Sequence, residues 1–258
     1  MELAIQNQMK QLSYFSGTSG LSVPIPMAQY PPKYQGRSRL AFYASLLNSI
    51  EINSSFYKIP KASTVAKWAA DVPGNFRFTF KLPKQISHAE ELVYEPNDVV
   101  AFMEAVSAAG DKKGCLLIQF APSRQVEVLN QLCYLIEDIA DADPLKQWQV
   151  AVECRHTSWY ISEVYETLRS YGAILVMQDF PKSKTPLDIE QRAYYLRFHG
   201  EDGRYRGSYD EKDLHRYATQ VNKWMKEGKP VWCYFNNTAG GAFEDVRRLN
   251  DLVNAIIP

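Results

Sequence analysis

Lysine, arginine, histidine and carboxylate side chains recur where short apolar runs of this 258-residue chain end. Arginine and lysine can hold a phosphate or carboxylate group, because their N–H donors match its oxygens. Histidine and glutamate can move a proton on the bound molecule. These residue types predict a site for a small anionic ligand, with acid–base chemistry as its reaction. The candidate catalytic residues are His156, His199, Glu51 and Glu153.

The candidate ligand contacts combine cations, amides, an acid and aromatic rings. They are Asn53, Tyr57, Lys81, His88, Gln119, Arg155, Trp159, Asp179, Arg197, Asn236 and Asn237. In this interpretation Lys81, Arg155 and Arg197 hold the anion. The asparagines supply neutral donors, while Tyr57 and Trp159 wall the pocket.

Eight short apolar segments with strand character must position these residues, and helical segments separate most of them. The segments begin near Leu12, Ser49, Asn75, Cys115, Gln149, Ala173, Arg192 and Pro230. Eight alternating β and α units predict a (β/α)8 TIM barrel that forms a single domain over residues 1–258. An open doubly wound sheet is the alternative. However, Gly17-Thr18-Ser19-Gly20 lacks the Gly-x-Gly-x-x-Gly spacing of its phosphate loop.

One connection of the barrel is expected to be irregular. Only twelve residues, 180–191, separate Asp179 from Arg192, and Pro181 and Pro186 interrupt them. Because proline breaks a helix interior, we predict an irregular or missing helix between strands six and seven. Ser63 and Asp98 are the expected N-caps of two regular helices earlier in the chain.

Alternate residues of a barrel strand point inward, and those near the carboxyl ends line the active site. This alternation predicts inward cations at Arg77, Lys81, Arg155 and Arg197. It predicts inward acids at Glu51 and Glu153. At least two cations should therefore remain unpaired near the mouth of the barrel. Loops at the same end are expected to carry His88, His156 and His199.

The composition narrows the class of protein. Lys and Arg number 29 and Asp and Glu number 29, so the net charge is zero, which argues against a general polyanion binder. No apolar run approaches the roughly 18 residues that span a membrane, and residues 1–10 lack the pattern of a secretory signal. We therefore expect a cytoplasmic protein. The four cysteines show no Cys-x-x-Cys spacing and are expected to be buried thiols.

A series of motifs resembles the YecE-like family, also called domain of unknown function 72. The motifs are Gly17-Thr18-Ser19-Gly20, Glu51-Ile52-Asn53-Ser54-Ser55-Phe56-Tyr57, Phe76-Arg77-Phe78, Ile86-Ser87-His88, Val152-Glu153-Cys154-Arg155-His156, Leu196-Arg197-Phe198-His199-Gly200 and Tyr234-Phe235-Asn236-Asn237. The resemblance runs from about residue 12 to residue 256 and implies a TIM barrel, but it implies no reaction. Leu21 stands where the family usually has Trp, and Gln119-Phe120-Ala121-Pro122 replaces its usual Gln-Pro-Pro. If that Trp stacks on a ligand in the family, the resemblance implies that this protein binds a different ligand or binds it less tightly.

Two other functions are consistent with the sequence. Metal-dependent hydrolysis or isomerisation, by analogy with the barrels of endonuclease IV and xylose isomerase, would use Glu51, Glu153, Asp179 and His199 as ligands. No His-x-His motif supports that set, and we expect no cofactor. A non-catalytic nucleic-acid binder would use the cations and rings of residues 204–209. A small anionic ligand is the favoured partner, a membrane is not expected, and the oligomeric state stays open.

Overall fold

The computed structural model describes residues 14–255, which form nine short parallel strand segments. They are β1 (Tyr14–Thr18), β2 (Ser49–Ile52), β3 (Arg77–Lys81), β4 (Lys113–Gln119), β5 (Gln149–Glu153), β6 (Ile174–Leu175), β7 (Met177–Gln178), β8 (Tyr194–Phe198) and β9 (Val231–Phe235). Only Val176 separates β6 from β7, and its N–H donates to the Val152 carbonyl at 2.8 Å. These two segments are therefore halves of one strand, the sixth of eight.

The eight strands form a (β/α)8 barrel, as the alternating pattern predicts. Hydrogen bonding connects β2, β3, β4, β5 and β6 in sequence order, and β7, β8, β9 and β1 in the same sense. The two sheets meet at Val176 and at a bridge between Ser19 and Glu51. Gly17 permits this second approach, because a Cβ there would lie 2.1 Å from the Ser49 carbonyl oxygen.

Helices cover the outside of the barrel. They are α1 (Arg39–Tyr43), α2 (Ala62–Asp71), α3 (Lys84–Ser87), α4 (Pro96–Ser107), α5 (Leu129–Ala142), α6 (Ser162–Ser170), α7 (Glu211–Lys226) and α8 (Ala242–Ala255). Short 3-10 turns occur at Met27–Gln29, Pro32–Tyr34, Ser54–Phe56, Glu90–Leu92, Gly110–Lys112, Val126–Val128 and Thr157–Trp159. The described chain has no helix between β7 and β8, which confirms the predicted irregular connection. Across residues 14–255, none of these helices combines the length and apolarity needed to cross a bilayer.

The inward and outward faces of the strands follow the predicted alternation. Phe78 and Phe80 belong to the large core between strands and helices, whereas Leu117 and Tyr195 belong to a separate cluster inside the barrel. Each fully buried large apolar side chain contributes about 2–3 kcal/mol to folding. A one-residue slip of any strand would exchange these faces, so burial fixes which side chains reach the interior.

Two predicted helix caps are wrong. Asp98 lies in the first turn of α4, whose N-cap is Glu95, and Ser63 lies inside α2, whose N-cap is Lys61. In α4, Pro96 occupies the first helical position, where its missing N–H carries no cost, so the helix begins earlier than the cap pattern indicates. The predicted strand start at Leu12 and the polar segment 1–10 lie outside the described residues.

The cysteines are free thiols, and their burial agrees with the expectation at three positions. Cys115, Cys154 and Cys233 are buried, whereas Cys133 on α5 is half-buried. Burial raises the pKa of each buried thiol above its ordinary range. These thiols therefore stay protonated and unreactive near neutral pH.

Candidate functional site

Arg197 is the centre of a buried ion-pair network inside the barrel. It lies on β8, and its Nη2 is 2.8 Å from Glu51 Oε1 while its Nη1 is 2.8 Å from Glu153 Oε2. Its Nε also donates to Glu51 Oε2 at 3.0 Å. Both glutamates are fully buried, and this guanidinium supplies positive charge to each of them. Tyr195 donates a further hydrogen bond to Glu51.

The pKa values of this network show that its carboxylates are ionised. Burial by itself raises the pKa of Glu51, but the charge and hydrogen bonds of Arg197 outweigh it and hold that pKa below its ordinary value. Burial likewise opposes ionisation of Glu153, and the charges of Arg155 and Arg197 hold its pKa well below the ordinary range. The two acids in turn raise the pKa of Arg197 despite its burial. All three groups are therefore charged near neutral pH.

Arg155 extends the network toward the mouth of the barrel and is also paired. Its Nε donates to Glu153 Oε1 at 2.6 Å. Its Nη1 donates to the Tyr205 hydroxyl at 2.8 Å, and its guanidinium lies 4.6 Å from the ring centre of Phe180. The neighbouring loops therefore hold Arg155 as a fixed part of the site.

His199 and Asp179 form a buried pair beside the guanidinium groups. His199 Nδ1 lies 3.1 Å from Asp179 Oδ1, and Tyr209 donates to the other carboxylate oxygen. A carboxylate only accepts hydrogen bonds, so Nδ1 carries the proton and Nε2 keeps its lone pair. That lone pair faces Arg197 at 3.3 Å and Arg155 at 3.4 Å. Burial lowers the pKa of His199, so the ring is a neutral acceptor that positions both cations.

Lys81 is the cation that the network leaves without an acidic partner. Its Nζ donates to the neutral amide oxygen of Gln119 at 2.6 Å and lies 3.8 Å from the ring centre of Phe56. Among residues 14–255, no carboxylate oxygen lies within 4.0 Å of Nζ. Burial and the positive charge of Arg197 lower its pKa to about 8. Lys81 is only 9% exposed, so water compensates its charge poorly.

Polar groups around Lys81 complete the carboxyl end of the neighbouring strands. Ile52, the last residue of β2, pairs with Phe80, so Asn53 follows β2 at the end where Lys81 completes β3. The Asn53 side-chain oxygen is buried and has no hydrogen-bond partner among the described residues. An acceptor in that state is suited to a hydrogen-bond donor on a bound molecule.

The pKa of His88 responds to the positive charges at this end of the barrel. Its ring meets Phe56 edge to face at 4.8 Å, and its Nδ1 lies 3.1 Å from Ser87 Oγ. Burial, followed by the charges of Lys81 and Arg155, lowers the pKa of His88 to about 4. His88 is therefore neutral near pH 7 and adds no positive charge to the mouth.

The number of unpaired cations differs from the expectation of at least two. Arg197 and Arg155 are engaged by glutamates, and Arg77 lies at the opposite end of β3. The Nη1 of Arg77 donates to the carbonyls of Gly74 and Phe76, both at 2.9 Å. Lys81 alone of the four predicted cations stays at the mouth without a carboxylate among the described residues. Strand alternation predicts whether a side chain points into the barrel. It does not predict how far along the barrel axis the side chain lies or which acidic side chains on other strands it meets.

Two predicted contacts have structural surroundings instead. Trp159 is fully buried, donates from Nε1 to the Arg124 carbonyl at 2.9 Å and stacks on Phe120, so it does not wall a pocket. His156 accepts from the Ser158 N–H at 3.2 Å and so caps the turn Thr157–Trp159. Both lie in the connection that follows β5.

The remaining aromatic and amide predictions differ in their burial. Tyr57 is 80% exposed on the rim. Asn236 follows β9 and is buried, and its N–H donates to the Phe198 carbonyl at 2.7 Å. Asn237 donates from Nδ2 to Asp245 at 2.8 Å and to the Gly207 carbonyl at 3.0 Å, so it fastens the loop that carries Tyr205 and Tyr209.

Several residues around the site were not predicted. Phe180 and Tyr205 shield His199, with ring centres 4.4 Å and 5.6 Å from the imidazole, and Tyr205 has a positive φ of 61°. Phe180 directly follows the predicted site residue Asp179, so its place in the sequence could have identified it. Asp245 is a fully buried acid on α8 that accepts from Ser208, and strand alternation gives no signal for a helical residue.

Three of the four predicted metal ligands contact guanidinium groups, and the fourth, Asp179, is hydrogen-bonded to His199 and Tyr209. Arg197 lies between Glu51 and Glu153, and the Nε2 of His199 faces two arginines. A divalent cation among these side chains would lie next to the positive charges of Arg197 and Arg155, which would repel it. The donor set therefore does not fit a metal. Within residues 14–255, the one group of three acids close enough to chelate is Glu201, Asp210 and Asp213. Two of those three acids are exposed, and this group lies outside the barrel network.

In the loop of residues 204–209, which was predicted to stack on nucleic-acid bases, the Tyr205 ring packs inside the protein's own site. Tyr205 packs against Phe180 at 5.7 Å, and its hydroxyl accepts from Arg155. Arg204 and Arg206 are exposed beside Asp202, at 3.6 Å and 4.0 Å from its carboxylate. Nucleic-acid binding by this loop stays a prediction, and the half-buried ring, which already packs on Phe180, offers it little support.

Comparison with known proteins identifies relatives along nearly the whole chain. The family model described as "Protein of unknown function DUF72" matches residues 15–256. The UPF0759 protein YunF of Bacillus subtilis (strain 168) is 25% identical over 252 residues, covering 84% of this chain and 86% of the relative. The UPF0759 protein YecE of Escherichia coli (strain K12) is 26% identical over 125 residues, covering 48% of this chain and 44% of the relative.

Solved structures share the fold. A DUF72 family protein from Enterococcus faecalis V583 superposes with a TM-score of 0.79 at 24% identity, covering 93% of this chain and 95% of that one. A DUF72 family protein from Thermotoga maritima MSB8 gives a TM-score of 0.75 at 23% identity, covering 94% and 99%. At this identity the likeness establishes the architecture and leaves the chemistry to the site.

Proposed function

This chain belongs to the DUF72 family, a family of unknown function, and we propose that its barrel mouth binds a small phosphate- or carboxylate-bearing molecule. In this proposal the ammonium group of Lys81 contacts the charge of the ligand. The carboxyl ends of the strands are where barrel enzymes of many kinds place their chemistry. The reaction we propose there is proton transfer on the bound anion.

The observation that carries the proposal is a buried ammonium group with a neutral partner. A buried charge without a counter-charge is unfavourable by several kcal/mol unless something compensates it. Glu51 and Glu153 stabilise the two arginines, but Gln119 offers Lys81 only an amide oxygen. A bound anion would supply the missing negative charge, and binding would recover the free energy that the empty site forfeits.

The surrounding groups support an anion at the same place. The lowered pKa of His88 reflects the positive charges of Lys81 and Arg155 after the effect of its burial. The unpartnered oxygen of Asn53 suits a hydroxyl group on the ligand. A ligand with both an anionic group and a hydroxyl group would therefore satisfy more of the site than a bare ion.

Lys81 is also the best-placed proton carrier. Its pKa of about 8 lies close to neutral pH, where a group can both give and accept a proton. The predicted proton carrier His199 is fully buried behind Phe180 and Tyr205 and is occupied as an acceptor. We therefore assign His199 a positioning role for the guanidinium groups.

Anion titration of matched variants tests the proposal. We expect sulfate and oxalate, both fully ionised above pH 6, to bind the wild-type protein in calorimetric titrations. Lys81→Met should weaken binding at least about tenfold, the loss expected for one charged hydrogen bond. Lys84→Met, which removes a nearby exposed lysine, should leave it unchanged.

The pH dependence gives a second readout. Because the ammonium form binds the anion, wild-type affinity should fall as the pH rises through about 8. Equal affinities for wild type and Lys81→Met, or an affinity that is flat from pH 7 to pH 9, would refute the proposed role of Lys81.

A further inference from the structure

We propose that Lys81 is a nucleophile that forms an imine with the carbonyl group of an oxo-bearing anion, such as an oxo acid. This inference rests on the proposed function, because the anionic group would bring the carbonyl to the same lysine. It narrows the ligand class from small anions in general to anions that carry an aldehyde or ketone.

The contacts of Nζ favour a reactive amine. A lysine in an ion pair holds its proton firmly, and an amine that keeps its proton cannot attack a carbonyl. The one hydrogen bond of Lys81 Nζ among the described residues goes to Gln119 at 2.6 Å, and this amide carries no charge to retain the proton. The ring of Phe56 covers another side of the amine at 3.8 Å. Desolvation by an apolar neighbour and a nearby cation are the two environments that activate lysine.

Charged groups on three strands set the protonation of Lys81. After burial, Arg197 is the largest influence and lowers the pKa, Glu153 and Glu51 raise it, and Arg155 lowers it again. With the resulting pKa of about 8, the neutral amine is about a tenth of the population at pH 7 before an anion pairs with Lys81. A lysine with the ordinary pKa of 10.5 has about 300-fold less.

The reaction balances without an oxidant or reductant. The Nζ lone pair forms a bond to the carbonyl carbon, and the carbonyl oxygen takes up a proton to give a carbinolamine. The C–O bond then breaks, and the oxygen leaves as water with a second proton. The iminium product keeps one N–H and the single positive charge that the ammonium carried. The network of Arg197, Glu51 and Glu153 therefore sees no change in net charge.

Neighbouring groups fit the intermediate. The unpartnered oxygen of Asn53, which follows β2 at the end where Lys81 completes β3, can accept a hydrogen bond from the carbinolamine hydroxyl. His88 packs on the same Phe56 ring and is neutral near pH 7, so it adds no further positive charge beside the amine.

Reductive trapping tests the inference. The protein would be incubated with glyoxylate and cyanoborohydride at pH 7, which reduces an imine to a stable secondary amine. Peptide mapping by mass spectrometry should find the carboxymethyl adduct at Lys81 at least about tenfold faster than at Lys84, because the lowered pKa of Lys81 increases its share of neutral amine. Glycolate, which has the carboxylate but no carbonyl group, should slow the labelling by competition.

Matched variants separate this inference from the proposed function. Lys81→Arg keeps a positive charge but cannot form a stable imine, so it should bind glycolate and lose the adduct. Lys84→Met should keep both. Glycolate binding by wild type without preferential labelling of Lys81 would overturn the imine and leave anion binding intact. Failure of both glycolate and glyoxylate to bind would overturn both proposals.

Discussion

Replacing Lys81 with methionine should stabilise the protein at neutral pH. Methionine keeps an unbranched chain of similar length against Phe56 and removes the ammonium group that has no acidic partner. Most substitutions of buried residues destabilise a protein, so a gain at this position would mark a group retained for function.

The expected gain follows from the pKa of Lys81. The fall of this pKa from 10.5 to about 8 means that the folded state disfavours the charged form by about 3.5 kcal/mol, at about 1.4 kcal/mol per pKa unit. The substitution also removes the hydrogen bond to Gln119, which contributes about 1.5–3 kcal/mol for a charged donor. The remaining stabilisation at pH 7 is about 1 kcal/mol, which would raise the Tm by about 2–4 °C.

The gain should depend on pH in a defined direction. The pKa of Lys81 is lower in the folded protein than in the unfolded chain, so between about pH 8 and pH 10.5 the unfolded chain binds more protons. Wild-type stability therefore rises with pH across that window. The advantage of Lys81→Met is full below about pH 8 and shrinks above it.

Urea unfolding at pH 7 and pH 9.5 measures both features. The free energy of unfolding would be compared for wild type, Lys81→Met and the exposed control Lys84→Met, which should match wild type at both pH values. The reasoning would be refuted if Lys81→Met were less stable than wild type by the same free energy at pH 7 and at pH 9.5. In that case the ammonium group would be a structural member of the network.

Three further outcomes follow from the same structure. Arg197→Met should lower the free energy of unfolding by about 3–5 kcal/mol, because Glu51 loses its counter-charge and Glu153 keeps only Arg155; a urea midpoint equal to wild type would contradict this. Burial lowers the pKa of His199 below 6.5, so NMR should find its ring mostly neutral at pH 6.5. Below that pH the histidine binds a proton more readily in the unfolded chain than in the folded protein, so the free energy of unfolding should decline as the pH falls. A disulfide reagent should modify Cys133 in the native protein and all four thiols after denaturation; rapid reaction of several native thiols would show that the barrel is open.

Much of the fold could be predicted because strands and their faces are local properties. The predicted starts at Ser49 and Gln149 coincide with the observed strands, and the alternation placed Glu51, Glu153 and Arg197 in the interior. In each case apolar residues on one face of a short strand specify which polar residues face the other way.

The pairing of charges could not be predicted from the same pattern. Glu51 and Arg197 are 146 residues apart in the chain, and their contact depends on the tilt and stagger of the closed barrel. Arg77 faces inward as expected, but it begins its strand, so it lies at the opposite end from Lys81, which ends the same strand. Height along the barrel, which a residue's position in its strand controls, decides whether an inward cation belongs to the mouth.

An NMR titration of Lys81 tests the unpaired ammonium group most directly. Protein labelled at the lysine ε-carbons would be titrated with and without sulfate, and the Lys81 signal would be assigned by its loss in Lys81→Arg. We expect a midpoint at about pH 8 that moves upward when sulfate supplies the missing negative charge. A midpoint near the ordinary 10.5 that sulfate leaves unchanged would contradict the assignment of Lys81 as the ligand-binding cation.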